Sequence, residues 1–197
     1  MRFVLNDVEV MNLNLDKMLA FHCAPTIYGI KPANLIAHAR FDLHCTEEVM
    51  RSTKSALLKK GVHMERLLSC PKRELTLVYH EETLIKHLES PEIWGYLMVQ
   101  GYPMYSSFAQ ILNHLKLRVI ESGGFPHEIG VFLGYPLVDV LGFIKNEGKN
   151  CKFCGYWKVY GDEHEARNLF ESYNQVRAEM NLRIQMGLTI PQIIEAA

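Results

Sequence analysis

The sequence has no excess of charge of either sign: 21 Lys and Arg stand against 22 Asp and Glu in 197 residues. So balanced a chain carries no global electrostatic footprint, and neither nucleic acid nor a membrane surface is expected as a partner. It lacks long hydrophobic runs, since no stretch approaches the roughly 18 uninterrupted apolar residues of a membrane span. Its first residues, MRFVLNDVEVMNL, have no basic start, apolar stretch or small-residue cleavage site of a secretory signal, so a soluble, cytoplasmic protein is expected. Internal repeats, linkers and low-complexity tracts are missing as well. Cysteine is sparse and odd in number: Cys23, Cys45, Cys70, Cys151 and Cys154 argue against a structural disulfide framework, so reduced thiols are the default.

What is present is apolar residue enough, 48% of the chain, for one substantial core. Residues 13–21 read as a short helix with Asp16 and Lys17 on the wet side and Leu15, Met18 and Leu19 inward. ANLIAHARF fits a strand or a short helix equally. Thr46 is a credible N-cap for EEVMRSTKSALLKKG, with acids in the first turn, lysines in the last and Gly61 as the stop. VHMERLLSC and ELTLVYH alternate in polarity and read as a strand pair. EETLIKHLESPEIWGYLMVQG, split at Pro91, and SSFAQILNHLKLRVIESGG have helical periodicity. The segment PHEIGVFLGYPLVDVLGFI fits either a strand led by His127 or helix, turn and helix, and the helical reading is favoured. A strand GYWKVYG and a long helix over 162–186 follow. The fold expected is α/β or α+β, a helix-rich single domain around a small β-sheet.

Chemistry concentrates where Gly and Pro fix the backbone. Cys23 follows His22 and precedes Pro25. If a helix begins after it, the dipole would lower its thiol pKa and suit it to act as a nucleophile. The chain order Cys23, His127, Asp139 is that of nucleophile, base and orienting acid in thiol enzymes, with Glu128 as the alternative orienting acid. Lys31, Arg73, Lys158, Trp157 and Tyr160 would together make a pocket for an anionic ligand. On the strand, Trp157 faces the core and Lys158 the site. Cys151 and Cys154 form a CxxC with the spacing of half a metal site or a redox dithiol. Cys23, His22 and His127 are its natural completing ligands, and zinc or iron the cation. The helix-turn-helix spacing around Gly134 does not imply DNA binding, because a second helix with one early acid and no early base cannot contact phosphates or base edges.

Three segments, HCAPTIYGIKPANL, FPHEIGVFLGYPLVDVLGF and CGYWKVYGD, occur in this order over nearly the whole chain. Together they resemble the signature of an uncharacterised family, a domain of unknown function found mainly in anaerobic clostridia and related Firmicutes. The matching positions are His22, Cys23, Gly29, Lys31, Pro32, His127, Glu128, Gly134, Tyr135, Pro136, Asp139, the run from Cys154 to Lys158, and Tyr160. The resemblance brings no reaction with it. It implies a single-domain cytoplasmic protein in an anaerobic cell, where iron or thiol chemistry would be at home. Cys45, Cys70 and Cys151 fall outside the pattern, which favours a site centred on Cys23 over a two-cysteine metal site.

The leading expectation is thus a thiol-centred site performing acyl or thiol transfer on a small anionic ligand. Cys23 would be nucleophile or ligand, His127 base or co-ligand, and Lys31 and Lys158 the counter-charges. The alternatives are a metal- or cofactor-binding protein using Cys23, Cys154 and His127, and a non-catalytic interaction module serving a small molecule or a protein partner.

Overall fold

Helix caps written in the sequence set many of the element starts in the computed structural model, which describes residues 14–38, 45–70, 74–122 and 125–196. In chain order these are α1 (Leu15–Ile27), β1 (Ala33–His38), α2 (Glu47–Lys59), β2 (Val62–Ser69), β3 (Glu74–His80), α3 (Glu81–Leu88) and α4 (Pro91–Val99). They continue with α5 (Phe108–Glu121), α6 (Ile129–Phe132), α7 (Leu137–Lys145), β4 (Phe153–Cys154), β5 (Lys158–Val159), α8 (Glu163–Gln185) and α9 (Ile190–Glu195). Thr46 accepts from Val49 N, Asp162 accepts from Glu165 N, and Pro91 opens α4, each satisfying or avoiding an orphan N–H. No helix among the described residues is long and apolar enough to cross a membrane.

The architecture is α+β. A three-stranded antiparallel sheet has the order β1-β3-β2, so β3 is central and buried on both faces. Alternation along β3 sends Leu75, Leu77 and Tyr79 to one face and Val78 to the other. The first face is covered by α3, α4, α5 and α6 through Leu84, Leu97, Leu115 and Phe132. The second carries Ile36, Val62 and Val78 and is covered by α1, α2, α8 and α9 through Leu19, Leu57, Met180 and Ile193. A small ribbon, β4 paired with β5, stands apart and packs Trp157 and Val159 on Ala166, Phe170 and Tyr173 of α8. At 23 residues α8 is about 34 Å long, enough to serve both this cluster and the one around α1.

Three expectations need correction. The first helix does not stop near Phe21, and Cys23 is not at a helix start: α1 runs on through Pro25, leaving Cys23 in its interior. Pro25 is tolerated because it sits in the last turn, and the carbonyl left without its N–H belongs to Phe21, on the exposed side. Pro25 O in turn accepts from Ile30 N (3.0 Å) and Lys31 N (3.1 Å), which closes the helix and aims the GIKP turn at the sheet. Asp16 is not on the wet side either; it is buried and accepts from Ile190 N at 2.9 Å, joining the start of α1 to the start of α9. The helical reading of residues 129–145 holds, and GYWKVYG contributes only the two-residue strand β5.

Candidate functional site

The three motif-bearing segments meet, and what they build is a packed junction. Lys31 follows the αL turn at Gly29 and is 2% exposed, with Nζ donating to Ala33 O and to Asn34 Oδ1 (3.2 Å). Asn34 Oδ1 also accepts from the Thr26 hydroxyl at 2.9 Å, so α1 and β1 share this polar contact. Lys31 Nζ lies 5.7 Å from the centre of the Tyr135 ring, and Tyr135 stacks on Trp157 with ring centres 4.9 Å apart. Gly134 makes that approach feasible: at φ +80° it suits no L side chain, and a Cβ there would stand 2.5 Å from Pro32 Cδ.

Asp139 ties the far end. It is buried, its Oδ2 accepts from Trp157 Nε1 at 2.7 Å, and its Oδ1 accepts from Tyr160 N and Gly161 N, both at 2.7 Å. The carboxylate is thereby committed to fastening the ribbon onto α7. Lys158 Nζ donates to Gly148 O at 2.5 Å and the Tyr160 hydroxyl to Lys149 O at 3.0 Å, so both hold the turn before the ribbon.

The structure does not bring Cys23 and His127 together. Cys23 is fully buried with the cluster on the second face of the sheet, whereas His127 is exposed in the turn before α6, which packs on the first face. Burial in apolar surroundings pushes the Cys23 thiol up to about 12, against a smaller opposing pull from Lys31. Lys31 shows the mirror effect: burial brings its amine down to about 7, with Cys23 opposing weakly. A protonated thiol beside an amine losing its charge makes neither a nucleophile nor a counter-ion for a bound anion. His22 is exposed on α1, and Arg73 lies outside the described residues. Glu128 does not orient His127; it is 3% exposed and accepts from Arg118 Nε at 2.9 Å and from the Tyr102 hydroxyl at 3.5 Å. Among the described residues no three His, Cys, Asp or Glu side chains converge as metal ligands, so Cys151 and Cys154 are not joined by Cys23 or His127.

His127 and Glu128 instead border an open groove of about 580 Å³, within the range of small-ligand sites. Its polar side comes from the C-terminal ends of α4 and α5, with Tyr96 and Gln100 on the first and Arg118 and Glu121 on the second. Its apolar side is Pro126 with Leu141 and Ile144 of α7. These two α7 residues are 46% and 39% exposed, and Val138 on the same stripe 55%, so the core does not use this face. Arg118 pairs with buried Glu128 at 2.9 Å, and Glu128 foremost, then Tyr102 and exposed Glu121, hold its guanidinium above its usual range. One cation against two carboxylates leaves the lining net negative, and the C-terminal ends of α4 and α5 add partial negative charge. The Tyr96 and Tyr102 phenols are raised, first by burial and next by Glu128.

Sequence reasoning found His127 and Glu128 but missed Tyr96, Gln100, Arg118, Glu121, Leu141 and Ile144. One signal was available: LVDVLGFIK carries apolar residues at all positions but Asp139 and Lys145, more than a nine-residue helix on the surface can bury.

Comparison with curated proteins and with solved structures gives no match. A family model does match, over residues 19–194, and that span takes in α1 from its second turn, the sheet, the groove and the ribbon. The chain therefore belongs to the family described as protein of unknown function DUF3793.

Proposed function

We propose that this chain is a non-catalytic binding module whose groove takes a small amphipathic cation, an ammonium group carried on an apolar body. The observation that carries this reading is that one groove holds the exposed Glu121 beside the paired Arg118 and Glu128, together with the exposed apolar wall of Leu141 and Ile144. Glu128 is satisfied by Arg118 and Tyr102, leaving the Glu121 carboxylate as the uncompensated charge facing a ligand. An ammonium placed there meets Glu121 and the carbonyl ends of α4 and α5, while its apolar body covers Leu141 and Ile144. A small anion is disfavoured by the same charges, and the cations that pointed to one, Lys31 and Lys158, are engaged within the fold.

Calorimetric titration with phenethylamine and with its carboxylate counterpart 3-phenylpropionate tests the proposal. The amine is expected to bind and the acid not to. Glu121→Gln, an exposed change, should weaken the amine about fivefold, the worth of a partly exposed charge contact of about 1 kcal/mol. Binding of the acid in preference to the amine, or an amine affinity indifferent to Glu121→Gln, would overturn it.

A further inference from the structure

The groove carries more polar chemistry than a lone ammonium needs. Tyr96 and Gln100 stand one turn apart at the C-terminal end of α4, neighbours on one helix face, and both border the groove. Among the described residues neither side chain is hydrogen-bonded within the fold, and the same holds for Glu121 at the end of α5. Arg118, Glu128 and Tyr102, by contrast, are bonded to one another. The Tyr96 hydroxyl and the Gln100 amide N–H are therefore two donors on one wall, and a carbonyl oxygen has two lone pairs to receive them. Glu121 and the exposed side chains of Leu141 and Ile144 border the same groove of about 580 Å³.

We propose that the groove captures the amino terminus of a peptide whose first residue is apolar. This inference rests on the reading of the groove as a site for an amphipathic cation and names the class of ligand. The α-ammonium meets Glu121, the first side chain lies on Leu141 and Ile144, and the first peptide carbonyl accepts from Gln100 Nε2 and the Tyr96 hydroxyl. The groove is open, so the rest of the peptide leaves toward solvent. A free amino acid is a poorer fit, because its carboxylate enters a lining that is net negative and faces the carbonyl ends of α4 and α5.

The test is calorimetric titration of the full chain with three probes that share a ring and an amine: phenethylamine, phenylalanine and phenylalanylglycine amide. A buffer of about pH 6.5, below the ordinary α-amino range of about 7.7–8.0, keeps each amine charged. The dipeptide amide is expected to bind about tenfold more tightly than phenethylamine, the worth of two neutral hydrogen bonds, and phenylalanine more weakly than either. In the double variant Tyr96→Phe, Gln100→Met the ratio of dipeptide amide to phenethylamine affinity should fall to about one. N-acetylation of the dipeptide amide should abolish its binding. Equal affinity of wild-type protein for the dipeptide amide and phenethylamine would overturn this inference and leave the cation groove standing, whereas failure of both ligands to bind would overturn the two together. That comparison needs no variant, so it decides even if the substitutions impair folding. A tenfold advantage that survives in the folded double variant, an acetylated peptide that binds as tightly as the free one, or a preference for phenylalanine would each overturn it as well.

Discussion

Burial of Lys31 without a carboxylate partner gives the fold a pH dependence of unusual sign. Its amine is brought down to about 7 in the folded chain, chiefly by burial, while in the unfolded chain it titrates near 10.4. Between these values the unfolded state binds more protons, so stability rises with pH. The folded-state penalty is largest below pH 7, where the buried amine must carry its charge, and it disappears above the unfolded pKa. Integrated from pH 7 to pH 9, the linkage is worth roughly 2 kcal/mol. His87 is also held low, chiefly by burial, but its contribution is complete once the pH passes the unfolded histidine value near 6.5. Cys23 acts in the opposite direction. Its thiol keeps its proton to about 12 when folded and loses it near 8.5 when unfolded, so its contribution falls with pH from about 8 and outweighs that of Lys31 above about 9. The expected curve rises from neutral pH to a maximum near pH 9. Urea unfolding at half-unit intervals reads it; Cys23 offsets roughly 0.8 kcal/mol of the Lys31 gain by pH 9, leaving a midpoint shift of roughly 0.7 M between pH 7 and pH 9 for a slope of about 2 kcal/mol/M. Lys31→Met, close in shape and without a titrating group, should abolish the rise and keep the fall above pH 9. A flat wild-type curve over this interval, or a variant that keeps the rise, would refute the reasoning.

Asp139→Ala removes the acceptor for two backbone N–H groups and one indole N–H in a buried place; a loss of about 3–5 kcal/mol in chemical denaturation is expected, with a red shift of tryptophan emission. Gly134→Ala adds a Cβ at φ +80° against Pro32, and thermal and urea melts should show a cost of about 2–4 kcal/mol. Cys23 should resist iodoacetamide in the folded protein at pH 8 and react only at the rate of global opening, so mass spectrometry that finds it alkylated as fast as exposed Cys154 would contradict its burial.

Much of the fold was legible because local chemistry and tertiary need agree. Thr46, Asp162 and Pro91 mark helix starts by satisfying or avoiding orphan N–H groups, and the alternation of ELTLVYH fits a strand buried on two faces. Helix α1 was misjudged at its end because it is buried on nearly every side, between the sheet, α8 and α9, and so shows no amphipathic period. Helix α9 was overlooked, although Thr189 and Gln192 form a capping box at its start. The site was harder for a physical reason. Gly134, Pro32, Tyr135, Trp157 and Asp139 draw attention by being conformationally or chemically special, and a tight junction needs those same properties. The groove is assembled from the ends of α4 and α5 and the outer face of α7, and Tyr96, Arg118, Glu121 and Ile144 are unremarkable until tertiary packing brings them together.

The groove can be read directly by a two-dimensional NMR titration of isotopically labelled protein with phenethylamine. Saturable shifts are expected at Tyr96, Gln100, Arg118, Glu121, His127, Leu141 and Ile144, with the amides around Lys31 and Cys23 unmoved. Shifts that fail to saturate, or that centre on the junction instead of the groove, would contradict the assignment of function to this face of the protein.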